Sequence, residues 1–474
     1  MASEDKVEIS ITDAISAFEE NQSGFQESED YYSGAARDLA VGISTPPALR
    51  ALLAQVGVPR IYIDALSERL IIEGFRLGDT SETDEDLWTW FRANRMKFQS
   101  QLAMREALIY GRSYLTIAAA GETAEDTEDP MQVEDVPIIK AESPKSLYAD
   151  IDPRTGKVNW AVRVVRDSAG ENVAATLYYV DRTEIYIAQD GELVLSETIS
   201  HGLGVVPVVP LIHSDGLGDT IGTSAITPEI RSITDALSRT MMDMQTASAL
   251  MATPQRAIFG SSMEELTGDR EGITPLELYT ASYLIFDDPA GRIESLPAAE
   301  LRNYTEAISE MLKLAAAYTG LPPQYLSYSD SNPASAEAIR SSETRLVRTC
   351  EALGEMFGDA FEQAMRIALL IQGTQLTLDH FQMETVWRDP ATPTYAAMAD
   401  ATQKLYASGA GVIPKEQARI DMGYTPEQRK QMEEWDKLEP AAQMASLYSG
   451  DPSAPDPEQE VTGETDGAGE PPIE

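Results

Sequence analysis

Hydrophobic residues recur at helical spacing over most of this chain and change to an alternating pattern in one central stretch. From residue 31 to 116 apolar positions return every three or four residues, which predicts helices. Between Pro137 and His213 they alternate with polar positions, and turn sequences such as Asp190-Gly191 separate the alternating segments. We therefore expect a small antiparallel sheet beside helices, which is an α+β fold.

Two long helices follow this sheet, and each has an apolar seam. They are predicted at 227–251 and 297–320, and each would be roughly 35 Å long at 1.5 Å per residue. Apolar residues at steps of three and four are typical of helices that pack against other helices. The seam residues that we expect to pack are Ile233, Leu237, Met241 and Met244 in the first helix and Leu301, Ile308 and Met311 in the second.

A short segment with strand-like pieces separates the two helices, and a proline-rich loop follows the second. The strand-like pieces lie at Arg256–Phe259 and Tyr283–Phe286. Prolines and small polar residues predict a loop at 321–333. Asn332 is a favourable N-cap residue and Pro333 suits the first helical position, so the longest helix of the chain is predicted from there to about residue 372.

The two ends of the chain are polar and acidic. Residues 1–30 predict a short helix or a loosely held arm. After the long helix, a strand is predicted at 374–387 and short helices at 392–408, 414–422 and 426–438. Residues 446–474 contain no Lys or Arg and many Pro and Gly, a composition typical of a disordered tail.

The overall composition is that of a globular protein without membrane spans. Apolar residues make up 43% of the chain, and none of its apolar runs approaches the roughly 18–20 residues needed to cross a bilayer. The first residues lack the basic start and apolar stretch of a signal peptide. We therefore expect the chain to fold in the cytoplasm and later to be part of a particle assembled there.

The acidic excess is the strongest compositional signal. There are 78 Asp and Glu against 36 Lys and Arg, so the formal net charge is −42. Tight binding to DNA through phosphate neutralisation needs clustered cations, which this balance disfavours. Two interpretations stay open: adaptation for solubility or a salty host, and a surface that repels phosphate so that DNA slides past it.

Catalytic motifs are missing from the sequence. It contains no phosphate-binding loop of the P-loop type, no His-Glu-x-x-His and no Gly-x-Ser-x-Gly. Cys350 lies on the apolar stripe of the longest helix, as expected of a packed thiol. His201, His213 and His380 are too scattered to predict a zinc site. We expect no cofactor and no bound metal.

Besides a purely structural role, the sequence leaves two other functions open. The acidic cluster at 82–86 could bind a divalent cation, so a metal-dependent hydrolase using Asp84, Glu85 and Asp86 is one of them. Capping of the following helix explains the same residues better. The other alternative is a monomeric acidic scaffold or DNA mimic that captures basic partners through charge.

Several local strings and their order give the chain a resemblance to a known family. The strings are YYSG at 31–34, PRIYIDALSERL at 59–70, EGFR at 73–76, ALIYGRSY at 107–114, GLPPQYL at 320–326 and NPASAEAIR at 332–340. None of them is a chemical signature, but their order and spacing are specific. The chain resembles the portal proteins of long-tailed phages, in the branch found in phages of actinobacteria.

The resemblance implies a portal fold: a mainly helical wing with a small antiparallel sheet, a two-helix stem, a β-containing clip and a helical crown. Along the chain the implied parts are the N-terminal arm at 1–30, the wing at 31–215, the first stem helix at 216–254, the clip at 255–296, the second stem helix at 297–320, the tunnel loop at 321–333, the long wing helix and strand at 334–390, the crown at 391–445 and the acidic tail at 446–474.

The resemblance also implies a structural, non-enzymatic function and a set of partners. Portals of this family form rings of twelve copies at one capsid vertex, where they serve as conduits for DNA packaging and ejection. The implied partners are the major capsid protein, the terminase large subunit, the head–tail connector (adaptor) protein and double-stranded DNA that passes without sequence specificity.

The resemblance assigns expected contacts as well. The tunnel-loop residues expected to face DNA are Gln324, Tyr325, Ser327, Tyr328, Ser329 and Asn332. The clip residues expected to contact a partner are Glu264, Glu265, Asp269, Arg270 and Glu271. The seven seam residues of the two long helices are expected to mediate self-association.

Overall fold

The computed structural model of the chain describes twelve stretches of residues. They are 8–35, 56–78, 83–120, 136–252, 256–259, 283–286, 289–290, 301–326, 336–391, 395–406, 411–424 and 428–437. The chain divides into two compact units, Met1–Ala391 and Thr392–Glu474, which are described separately here.

The first unit begins with two helices, α1 (Ile11–Glu20) and α2 (Phe25–Ser33). The Ser10 side chain caps α1 by accepting a hydrogen bond from the backbone N–H of Asp13. Phe18 on α1 is fully buried against the apolar face of the neighbouring sheet. The prediction of a short helix near the N-terminus is confirmed, and the alternative of a loosely held arm is wrong for residues 8–35.

Three helices and a strand form the next layer: α3 (Val58–Ser67), β1 (Ile72–Arg76), α4 (Glu85–Ala93) and α5 (Met96–Tyr110). The main core lies among these elements and the long helix described below. Its aromatic centre includes Phe91, whose ring is 5.5 Å from that of Phe75 and 6.4 Å from that of Phe361. Such aromatic pairs stabilise a core beyond the area they bury.

Two strands lie in the stretch that the spacing of apolar residues predicts as helical, so that prediction is wrong there. One is β1, which pairs antiparallel with β12 (Glu384–Trp387). The other is β2 (Arg112–Ala118). Its first four residues are buried in succession, so it shows no alternation, and its partners are remote in sequence. Periodicity within a short window therefore does not reveal these strands.

The predicted antiparallel sheet is present as two sheets. The smaller has the order β3-β2-β9, with β3 at Ile138–Glu142 and β9 at Val208–Ile212. The larger has five antiparallel strands in sequence order: β4 (Leu147–Ile151), β5 (Val158–Arg166), β6 (Asn172–Tyr178), β7 (Arg182–Gln189) and β8 (Glu192–Ser200).

The two predicted long helices are present as α6 (Pro228–Ala252) and α7 (Leu301–Thr319). Between them, β10 (Arg256–Phe259) and β11 (Tyr283–Phe286) match the predicted strand-like pieces and pair in parallel. A 3₁₀ turn at Pro323–Tyr325 follows α7.

The long helix predicted after Pro333 is α8 (Ala336–Ile371), and it runs through the main core. The strand predicted at 374–387 is wrong in its first half, where a short helix α9 (Leu378–Phe381) stands before β12. Thr377 and His380 form a capping box that satisfies the first backbone N–H groups of α9. This local hydrogen bonding explains the helical turn.

The second unit is helical in its described residues. It contains α10 (Tyr395–Tyr406), α11 (Lys415–Asp421) and a helical segment at 428–437. These agree with the three predicted short helices. Asp436 accepts bonds from Lys415 and Arg419, both at 2.6 Å, and thereby joins the last two helices. In the described parts of the chain, none of the helices is both long and apolar enough to span a bilayer.

Candidate functional site

The paired helices α6 and α7 pack against each other along part of their length. Leu237 on α6 is fully buried, and Ala315 on α7 lies in the same apolar cluster. Ile308 and Met311 of α7 are partly buried against that cluster, as is Leu326 beyond it. The apolar seams predicted from the sequence therefore meet each other within one chain.

This packing corrects part of the predicted self-association surface. Ile233 and Leu237 are 9% and 0% exposed in the single chain, so they are already covered and are not available to a second copy. Met241, Met244 and Leu301 are only half-buried. The exposed apolar residues of α7 lie elsewhere, at Leu314 and Tyr318, which are 49% and 51% exposed and one turn apart.

The first turns of α6 are held by side chains of α2. Arg231 forms an ion pair with Glu27 at 2.8 Å and donates a hydrogen bond to the Ser28 hydroxyl at 3.1 Å. One turn later, Asp235 accepts a hydrogen bond from the Tyr31 hydroxyl at 3.0 Å. Burial is the larger cause and this bond to Asp235 the next, and together they raise the pKa of Tyr31 to about 12. We call these five residues the α6 anchor.

The loop that leads into α6 is held against the end of α5 by backbone hydrogen bonds. His213 donates from its backbone N–H to the carbonyl of Gly111 at 2.8 Å, and Ala225 donates to the carbonyl of Leu108 at 2.8 Å. Gly111 and Gly222 both have positive φ and their backbones touch. The starting point of α6 is therefore fixed by both the loop and the α6 anchor.

The described part of the predicted tunnel loop is tied to the long helix α8. The Tyr325 hydroxyl donates to a carboxylate oxygen of Glu343 at 2.9 Å and accepts from the Arg69 guanidinium at 2.7 Å. Burial and the bond to Glu343 raise the pKa of Tyr325. Gln324 is exposed, and its amide donates to the Ser342 hydroxyl at 3.1 Å.

These bonds involve two of the predicted DNA-facing residues, Gln324 and Tyr325. The Tyr325 hydroxyl and the Gln324 amide are both bonded within the chain, and their contact with DNA stays a prediction. The other predicted contacts lie outside the described residues. In the tunnel loop these are Ser327, Tyr328, Ser329 and Asn332, and in the clip Glu264, Glu265, Asp269, Arg270 and Glu271.

The groups considered for catalysis have structural roles where the chain is described. Asp84 caps α4 by accepting from the backbone N–H of Leu87 at 2.9 Å, as the capping interpretation expects. The described ranges contain no group of three or more His, Cys, Asp or Glu placed to hold a metal ion. Cys350 is 1% exposed, and burial raises its pKa to about 11. It is a packed thiol, as predicted.

Sequence reasoning missed the polar residues that anchor these elements. Three of them, Arg69, Arg231 and Asp235, lie among apolar positions of predicted helices. An isolated charged residue in such a pattern is normally interpreted as part of the solvent-exposed face. The spacing of Arg231 and Asp235, four residues apart on one helix face, was the available signal. Their partners Glu27 and Tyr31 are about 200 residues away in sequence, so no local pattern identifies them.

Comparison with known proteins identifies similar sequences over most of the chain. The family model for phage portal proteins of the SPP1 Gp6-like type matches residues 13–444. The chain is 46% identical over 453 residues to the portal protein of Mycobacterium phage D29, covering 94% of this chain and 93% of that protein. It is also 46% identical over 447 residues to the portal protein of Mycobacterium phage L5, covering 93% and 91%.

A solved structure, described as the neck of a native GTA particle computed with C12 symmetry, matches 83% of this chain and 98% of the matched chain. Its identity is 14% and its TM-score 0.33, and at that level of similarity we base no argument on it. The family model and the two mycobacteriophage relatives define the class: a structural component of phage particles that is not an enzyme. The chain belongs to the phage portal protein family and is a structural portal subunit. Portal proteins are ring-forming virion components at the capsid vertex.

Proposed function

We propose that twelve copies of this chain close into a ring in which α6 and α7 form the stem around an axial channel for double-stranded DNA. The wing is then residues 31–215 with the long helix and strand at 334–390, the clip 255–296, the tunnel loop 321–333 and the crown 391–445. The observation that carries this proposal is that α6 and α7 cover each other on one face only.

The uncovered face of α7 is the surface that we assign to the neighbouring copy. Leu314 and Tyr318 are each about half exposed and are one turn apart, so they form an apolar stripe on the helix. A cyclic ring uses a heterologous contact, in which one face meets a different face of the next copy. An apolar stripe beside an already packed seam suits one side of such a contact.

The charge of the chain suits a channel that DNA passes without being held. Twelve copies at −42 each carry about −500 formal charges, which produces a strongly negative field. Tight binding to phosphate requires clustered Lys and Arg, and the predicted tunnel loop at 321–333 contains none. We infer weak contact without sequence specificity during packaging and ejection.

The proposed partners are those of a portal at a capsid vertex assembled in the host cytoplasm. The major capsid protein would surround the wing, and the terminase large subunit and later the head–tail connector would dock at the clip. Nucleotide hydrolysis would come from the terminase, because the sequence has no P-loop.

The stem assignment is tested by changing the uncovered face of α7. The double variant Leu314→Ser with Tyr318→Ser is expected to change the stability of the unassembled chain by no more than about 1 kcal/mol, since each side chain is about half exposed. The fraction of chains in rings, counted by mass photometry, should fall. The matched control is Ile187→Ser on β7, where the side chain is 45% exposed. Equal ring formation in both variants would contradict the assignment.

The clip assignment is tested by a deletion. Removing residues 267–278 is expected to leave ring formation intact and to reduce connector docking and the amount of packaged DNA. Loss of rings in the deletion variant would show that this segment serves assembly and not docking.

A further inference from the structure

Arg69 joins three parts of the first unit through one guanidinium group. It lies just after α3, and its side chain is 12% exposed. One nitrogen donates to the Tyr325 hydroxyl at 2.7 Å and lies 3.3 Å from a carboxylate oxygen of Glu343. The other terminal nitrogen donates to the backbone carbonyl of Pro390 at 2.6 Å. A planar guanidinium can hold such partners in fixed directions, which a lysine ammonium cannot.

Two of these partners stand on opposite sides of the predicted tunnel loop. Tyr325 precedes most of the loop, and Glu343 lies 18 residues later on α8. The two side chains are bonded to each other as well as to Arg69. The chain therefore enters and leaves the predicted tunnel loop beside the same side chain, the largely buried guanidinium of Arg69. Hydrogen bonds in which one partner is charged are roughly twice as strong as neutral ones.

Further contacts between the same elements support this junction. The amide of Gln324 donates to the hydroxyl of Ser342 at 3.1 Å. The guanidinium of Arg345 donates to the carbonyl of Ala317 near the end of α7 at 3.0 Å. Arg345 also lies against Gly320, where an added Cβ would stand 2.9 Å from its Nε atom. The end of α7 and the 3₁₀ turn that follows it are thus both connected to residues 342–345 of α8.

The third partner, Pro390, is the penultimate residue of the first unit. The same guanidinium therefore holds both the base of the predicted loop and the segment that leads into the second unit. We propose that Arg69 is a positioning residue: it fixes the two ends of the DNA-facing loop relative to each other and couples them to the segment at Pro390. The role of the loop towards DNA rests on the proposed function, whereas the junction itself does not.

The junction is tested by hydrogen exchange on the full-length chain, both assembled and unassembled. Arg69→Gln is expected to speed backbone exchange about tenfold or more at 323–326, at 336–345 and around Pro390, because all three segments lose their shared partner. Arg69→Lys should not restore the slow exchange, since one ammonium group cannot replace a guanidinium that donates from two separate nitrogens. Tyr325→Phe should speed exchange only at 323–326 and 336–345 and leave exchange around Pro390 unchanged. The control is Arg76→Gln, which removes an exposed ion pair with Glu384.

The outcomes separate a positioning role from a purely structural one. Faster exchange confined to these segments supports the proposal. Unchanged exchange in Arg69→Gln, or a uniform increase across the whole first unit, would overturn it.

A second measurement connects the junction to DNA. Phages carrying Arg69→Gln should assemble portal rings in normal number and contain less DNA per particle than phages carrying Arg76→Gln. Equal DNA content would overturn the coupling to the loop. Failure of the wild-type chain to form rings would instead contradict the proposed function and leave the exchange result standing.

Discussion

Gly111 and Gly222 meet backbone to backbone where the loop before α6 crosses the end of α5. A Cβ atom added to Gly111 would stand 2.7 Å from the carbonyl carbon of Gly222, and both glycines have φ near +90°. Only glycine allows this approach, because any side chain at either position would collide with main-chain atoms that have no rotamer to change. The contact fixes the point from which α6 starts.

The first prediction concerns this contact. Gly222→Ala should lower the free energy of unfolding by more than about 2 kcal/mol, since it adds a backbone collision to the cost of a positive φ. Gly170→Ala is the matched control: Gly170 also has a positive φ, but an added Cβ there meets nothing within 4 Å. Its cost should stay near 1 kcal/mol. Urea unfolding of the unassembled chains gives both values, and equal costs would refute the contact.

The second prediction concerns Tyr31 in the α6 anchor. Its folded pKa of about 12 lies above the value near 10 for an exposed tyrosine, so the stability it contributes is complete below pH 10 and is lost as the pH rises towards 12. Tyr31→Phe should lower the free energy of unfolding by about 1 kcal/mol at pH 8. The variant should also lose less stability than the wild type between pH 9 and pH 11.

Comparison with Tyr186→Phe separates the anchor from general alkaline effects. The pKa of Tyr186 is also raised to about 12, by burial and by its bond to Glu184 on the five-stranded sheet. Both variants should lessen the alkaline loss, but only Tyr31→Phe should speed hydrogen exchange in the first turns of α6. An unchanged exchange rate there would contradict the anchoring role of Tyr31.

The third prediction concerns Cys350. Because the thiolate is the reactive form, a thiol with a pKa of about 11 that is also buried should not react with a disulfide reagent at pH 8. One thiol per chain should react after unfolding in guanidinium chloride. Stoichiometric labelling of the folded chain within minutes would show that the long helix α8 opens at this point.

The fourth prediction concerns the affinity of the assembled protein for DNA. With an excess of 42 negative charges per chain, rings should bind duplex DNA more weakly than about 10⁻⁴ M at 150 mM salt. The slope of log K against log salt should lie near zero, whereas a protein that neutralises phosphates loses about 0.9 per phosphate. Fluorescence anisotropy over a salt series measures both. A steep slope would indicate a basic DNA-binding surface and contradict the inference that DNA passes through without tight binding.

The sequence predicted the long helices well and missed two strands, for a physical reason. The boundaries of α6 and α8 follow from proline and cap residues and from apolar stripes that repeat over many turns. Strands β1 and β2 were missed because each is short, buried and paired with a partner far along the chain. The parallel pairing of β10 with β11 also depends on residues outside the local window.

The candidate site, too, could be predicted from the sequence only in part. Apolar seams identified α6 and α7 as packing helices, but spacing alone does not tell whether a seam meets the same chain or a neighbour. Leu237 proved to be covered within the chain, while Leu314 and Tyr318 remain open. The anchoring residues Arg69 and Arg231 act through partners more than 200 residues distant in sequence, which only the folded chain brings together.

End-on electron microscopy of the purified wild-type chain, combined with its mass in solution, tests the central claim most directly. The account predicts closed rings of twelve copies with an axial channel wide enough for duplex DNA and with α6 and α7 nearest the axis. A species that stays at the single-chain mass of 51.8 kDa under all assembly conditions, or a ring whose channel is closed to a duplex, would contradict it.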